Sequence, residues 1–121
     1  MILALLVLAA AQAVTLQWDT LPALPYRAAP QITPDMSSFV QREAVSRKCP
    51  RPQASAITVE VAVLVDQRGG IRTTVPRAIG CPTVEQYAAA LIAGFALNNL
   101  LPRTGTGEQW YRTAVTFTWP A

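Results

Sequence analysis

Ile57-Thr-Val-Glu-Val-Ala-Val-Leu-Val-Asp66 runs straight into Gln67-Arg-Gly-Gly70 and then Ile71-Arg-Thr-Thr-Val-Pro-Arg-Ala-Ile79. In the first ten residues Ile57, Val59, Val61, Val63 and Val65 share one face, and Thr58, Glu60, Ala62, Leu64 and Asp66 share the other. That period of two is the mark of a strand. Every residue on the first face is β-branched, which suits a pleated surface and disfavours a helix. Gly69 and Gly70 supply the positive φ of a hairpin turn, so Ile71–Ile79 is predicted to return as a second strand. Pro76 cannot donate to a ladder, which puts this strand at an edge or bulges it.

The valine face needs a cover, and the sequence on either side offers one. Cys81-Pro-Thr-Val-Glu-Gln86 opens a helix, with Thr83 and Gln86 spaced for a capping box. Val84, Tyr87, Ala88, Leu91 and Phe95 form its apolar stripe, with Ile92 widening it. Asn98-Asn99 tolerates a left-handed end, and the helix must stop before Pro102. After the loop Arg103–Gly107, Gln109–Trp119 is predicted as the last strand, with Tyr111, Val115, Phe117 and Trp119 on one face. Upstream, Thr33-Pro34-Asp35 carries the N-cap, first-turn proline and acid that start a helix. Met36, Phe39 and Val40 share its apolar face, and it ends before Cys49-Pro50.

The expected fold class is α+β: a two-layer β-β-α-β domain over residues 34–121. It has an antiparallel three-stranded sheet on one main helix, with a short extra N-terminal helix. Residues 14–33, with Leu21-Pro-Ala-Leu-Pro25 at their centre, read as a proline-rich extended segment that lies across a surface or hangs free.

Residues 1–13, Met-Ile-Leu-Ala-Leu-Leu-Val-Leu-Ala-Ala-Ala-Gln-Ala, read as a signal peptide cleaved after Ala13. The alternative is an uncleaved anchor, although the apolar run falls short of the ~20 residues of a spanning helix. Cleavage implies a periplasmic or secreted protein with no stable membrane span. In an oxidising compartment Cys49 and Cys81 are expected to pair. Two buried free thiols are the alternative.

Composition excludes more than it assigns. A chain of 121 residues, 51% hydrophobic and 14% charged, is one foldable domain rather than a disordered segment. A net charge of +3 is mild. Arg42, Arg47, Lys48 and Arg51 are interrupted by Glu43 and lack interleaved aromatics, so no nucleic-acid partner is expected. Histidine is absent from the sequence, which removes Cys-His and Ser-His pairs and histidine metal sites. Cys81 at a helix start could carry a lowered pKa, but its reading as half of a disulfide needs fewer partners. Glu60, Asp66, Glu85 and Glu108 are scattered, and Gly69-Gly70 and Gly105-x-Gly107 fit no phosphate loop. The chain is read as non-catalytic, with no metal and no cofactor.

The order of these pieces carries a resemblance. Val63-x-Val65-Asp66-x-x-Gly69, Gly80-Cys-Pro82, the helix through Leu97, then Pro102, Gly105 and Val115-Thr-Phe117 resemble the C-terminal domain of TonB-type energy transducers, over about residues 55–119. In that family the domain is periplasmic and takes up a short segment of a transporter by strand addition at a sheet edge. The resemblance therefore implies a protein-binding module of the cell envelope, docking at the last strand through Trp110, Tyr111, Arg112, Thr113 and Trp119. Core packing is the competing role for those aromatics. The chain departs from the family in lacking its membrane helix with a functional histidine and its long proline-rich spacer. An aromatic before the proline that ends the helix is also replaced by Asn98-Asn-Leu-Leu101. Proton-motive coupling is accordingly not expected. Two other functions stay open: a structural or self-associating envelope protein, as a homodimer through the same edge, and an exported enzyme.

Overall fold

The computed structural model describes residues 15–50, 55–103 and 105–120; the expected signal peptide lies outside them. The order of elements is α1 (Pro34–Ser46), β1 (Ala56–Val65), β2 (Ile71–Pro76), α2 (Pro82–Ala96) and β3 (Gln109–Thr118), preceded by a single 3-10 turn at Trp18–Thr20. The fold is α+β, with one three-stranded antiparallel sheet in the order β2-β1-β3.

β1 forms the centre because both of its edges are used. It pairs along its whole length with β3, from Ala56 opposite Thr118 to Val65 opposite Gln109. On the other side Val61 faces Pro76 and Leu64 faces Thr73, with a bulge between Leu64 and Val65. Ile57, Val59, Val61, Val63 and Val65 are at most 1% exposed, so the alternation in the sequence is the core face of the sheet. Proline sits where a missing donor costs nothing, at the end of an edge strand. β2 stops there, three residues short of the expected Ile79, although the Arg77 amide still donates to the Glu60 carbonyl at 2.8 Å.

Two helices cover the valine face side by side. α2 lies over β2 and β1, while α1 contacts α2 and β3. Phe39 of α1 and Tyr87 of α2 stack at 4.5 Å between centroids, and Tyr87 continues to Phe117 at 5.9 Å. The short N-terminal helix is thus half of the helical layer. It also corrects the expected stripe on α2. The fully covered residues are Val84, Ala88, Ala89, Ile92 and Ala96, whereas Tyr87, Leu91 and Phe95 are only partly buried on its flank. Alanines let the helix axis approach the sheet, and the large side chains fill the space beside it.

Both helix starts are capped, though one differs from expectation. At α1 the Thr33 hydroxyl accepts from the Met36 amide at 3.2 Å. The Thr83–Gln86 box does not form at α2, because the helix begins two residues earlier than that box requires, at Pro82, with Cys81 as N-cap. Glu85 takes over. Its carboxylate accepts from the Cys81 amide at 2.9 Å and the Ile79 amide at 3.2 Å. Asn98 ends α2 with φ of 55°, in the left-handed conformation that asparagine tolerates.

Cys49 and Cys81 form a disulfide that ties the chain just after α1 to the N-cap of α2. Both sulfurs belong to the core, with Cys81 fully buried. No helix among the described residues is long and apolar enough to cross a membrane.

Candidate functional site

The last strand is the element that both the sequence and the fold single out. Arg112 donates its amide to the Pro22 carbonyl at 2.8 Å, and its carbonyl accepts from the Leu24 amide at 2.9 Å. Ala23 thereby forms a parallel bridge with Arg112, on the side of β3 away from β1. The proline-rich segment lies across the domain and takes part of the free edge of the sheet. Prolines flanking the contact suit this role, since Pro22 is needed only as an acceptor and φ near −65° holds the chain extended.

The strap then turns onto the helical side. Leu24 is 6% exposed, inside the core cluster. The Tyr26 amide donates back to the Leu24 carbonyl at 3.0 Å, and Tyr26 bridges to Leu100. Two backbone bonds, Arg27 amide to Asn99 carbonyl at 2.7 Å and Leu101 amide to Pro25 carbonyl at 2.8 Å, fasten it to the segment after α2. The Asn99 side chain adds bonds to both the amide and the carbonyl of Ala28. Burial raises the Tyr26 hydroxyl above its usual pKa, opposed in part by its hydrogen bond with Thr113. Upstream of the edge the same segment crosses the other face of the sheet. There Arg77 stacks over Trp18 at 5.4 Å and pairs with Glu60 at 2.6 Å. Arg112 reaches Asp19 and Glu60, each at 3.9 Å. Ala62, on that face, is fully buried.

The five residues expected at a docking edge divide by strand parity. Tyr111, Thr113 and Trp119 point to the helical side, and Tyr111 and Trp119 are buried there, the packing role open to them from the start. Trp110 and Arg112 lie on the outer face and are partly exposed. The backbone groups of Arg112 point outward, so by alternation those of Ala114 and Thr116 do too. Beyond them the Thr118 amide donates to the Ser37 hydroxyl at 3.3 Å. The outer edge of β3 is therefore taken at Arg112 and at Thr118, and Ala114–Thr116 lies between. β2 is a poorer edge for docking, since its far end is proline and its near end is bulged.

A second feature, not anticipated from the sequence, lies at the turn end of the sheet. A cleft of about 510 Å³ is lined by Arg27 of the strap, Arg68 of the β1–β2 turn and Arg103 after α2, with Asn98 and Leu101 among its walls. Each arginine is positioned by backbone. Arg68 sits in a turn held by the Asp66 carboxylate, which accepts from the Arg68 and Gly70 amides at 2.8 Å each. Those amides, ahead of nearby arginine charge, hold the Asp66 carboxyl below its usual pKa. Gly69 completes the turn with φ of 85°. Arg103 donates to the Tyr111 hydroxyl at 3.2 Å and to the carbonyls of Val65 and Asp66. Arg27 is placed by the strap.

No group of three or more His, Cys, Asp or Glu that could hold a metal occurs among the described residues. No family model, curated protein or solved structure matches the chain.

Proposed function

We propose that this protein is a non-catalytic, exported protein-binding module of the TonB C-terminal kind, working in the periplasm or outside the cell. It docks an extended partner segment at the outer edge of β3. One observation carries the reading: β3 already holds an extended segment, its own Pro22–Leu24, through both backbone groups of Arg112. Strand addition needs an edge whose groups point outward and a partner with backbone free to meet them. Arg112 meets the first condition in the intramolecular case, and Ala114–Thr116 continues the same edge. The strap leaves about three residues of it, so a partner either extends the strap's ladder or displaces the strap.

Crosslinking tests this reading. A photoreactive residue at Thr116 should give a discrete adduct in an envelope fraction, and one at Thr73, on β2, should not. Ala114→Pro removes one outward amide and leaves the β1 ladder in place, so it should abolish the adduct while the circular dichroism is unchanged. Equal adducts from both strands, or an adduct indifferent to Ala114→Pro, would overturn the proposal. The self-associating reading predicts a different adduct, between two copies of the chain, and a mass by light scattering that rises with concentration.

A further inference from the structure

We infer that the turn end of the sheet is a docking surface for an anionic phospholipid membrane, with a lipid phosphate held in the cleft between Arg27, Arg68 and Arg103. Independent observations meet there. Three arginines far apart in the sequence line one cleft of about 510 Å³, a volume suited to a headgroup rather than a lone ion. The Arg27 and Arg68 guanidinium groups make no salt bridge or hydrogen bond among the described residues. Asp66 is the near acid, and its carboxylate is directed to the amides of its own turn. The C-terminal end of α2 adds roughly half a negative charge, which three guanidinium groups outweigh.

The segment that leaves α2 beside the cleft supplies the apolar part, with Leu101 in the cleft wall and Leu97 at the C-cap next to Asn98. Leu97 is 67% exposed and Leu101 48% exposed, two of the three large hydrophobic side chains most exposed among the described residues. Both belong to the short connection at the end of α2 that also carries Asn98 and Arg103. Arginines that bind phosphate beside leucines that enter the acyl boundary are the chemistry of an interfacial contact. A soluble phosphate ester would use the arginines and gain nothing from the leucines, and on that ground the lipid source is preferred. The site lies at the end of the sheet, beside the β3 edge rather than on it; a partner that extends the strap's ladder leaves it intact, and one that displaces the strap removes Arg27 from it.

Co-sedimentation of the full oxidised chain with vesicles tests the assignment. At 0.1 M salt the chain should bind vesicles containing phosphatidylglycerol more tightly than vesicles of phosphatidylcholine alone. Raising the salt to 0.5 M should remove that difference. The phosphatidylcholine arm also accounts for insertion of the N-terminal apolar residues, which needs no anionic lipid. Each arginine near an anionic surface is worth about fivefold in affinity, so Arg27→Gln with Arg68→Gln should lower phosphatidylglycerol binding about 25-fold. Neither side chain supports the fold, so the melting transition should stay in place. Leu97→Asn with Leu101→Asn should weaken binding and leave its salt dependence intact. Arg42→Gln with Lys48→Gln, on and just after α1, removes the same formal charge and should change binding less than twofold. A comparable loss from this control would show attraction by net charge and overturn the assignment. So would equal binding to both vesicle types, or saturable binding of glycerol 3-phosphate in solution without binding to vesicles.

Discussion

Opening the Cys49–Cys81 disulfide should cost between about a quarter and three quarters of the margin by which this domain stays folded. The bridge closes a loop with a sequence separation of 32 residues, which contains the exit from α1, all of β1 and all of β2. For a loop of that size the chain-entropy relation gives about 3.7 kcal/mol at 25 °C. A domain of ~100 residues is stable by about 5–15 kcal/mol in all, so the loss is a quarter of the total at the least. It corresponds to a fall in melting temperature of about 15–30 °C. Urea denaturation should be followed by circular dichroism on the oxidised protein, on the protein after reduction, and on Cys49→Ala with Cys81→Ala. The last two should share a midpoint well below the first, with the double variant slightly lower because Cys81 is fully buried. Mass spectrometry of the unreduced protein should show it lighter by two hydrogens than the reduced chain. Coincident midpoints for oxidised and reduced protein would refute the reasoning, because they would mean that the loop is restrained equally by packing alone.

Other perturbations separate the parts of the structure. Val61→Asp puts an unpaired charge on the fully buried face of β1 and should leave no cooperative melting transition. A native-like transition would place the core on the wrong side of the sheet. Leu24→Ala should cost about 2–4 kcal/mol, since Leu24 belongs to the core cluster, and should speed hydrogen exchange at Arg112 more than at Val63. Uniform acceleration at both amides would show that the strap is no separate unit. Asp66→Asn probes the turn under the basic cleft. The carboxyl has a lowered pKa in the folded protein, so its contribution is present above the ordinary value of 3.8 and is lost as pH falls through the depressed one. The urea midpoints of wild type and Asp66→Asn should therefore differ at pH 6 and converge at pH 2; a gap independent of pH would contradict the role of the carboxylate.

Different parts of the molecule were legible in the sequence for different physical reasons. The face of β1 could be read because five β-branched residues at a period of two have one arrangement that buries them all. The ends of α2 were legible at Asn98 but not at Cys81, where the acceptor is Glu85 rather than a residue of the expected box. Its buried stripe was rotated by packing: alanine carries little hydrophobic signal, yet Ala88 and Ala96 are buried while Tyr87, Leu91 and Phe95 are only partly so. The strap and the cleft were not legible at all as sites. A proline-rich segment has no periodicity, and its docking depends on which way the backbone of Arg112 points. The cleft is assembled from positions 27, 68 and 103, which only the return of α2 to the turn end brings together.

Whether β3 is a docking edge can be measured on one amide. In the variant Leu24→Asp the strap should leave the sheet and the Arg112 amide should exchange freely with solvent, while Tyr111, bonded to β1, stays protected. Adding a synthetic peptide of residues 20–29 at millimolar concentration should then restore protection at Arg112 and extend it to Ala114 if the peptide shifts along the edge. Protection that returns only in the presence of the peptide is the predicted result. An Arg112 amide that is equally protected with the strap displaced and no peptide present, or one that no concentration of peptide protects, would contradict the account.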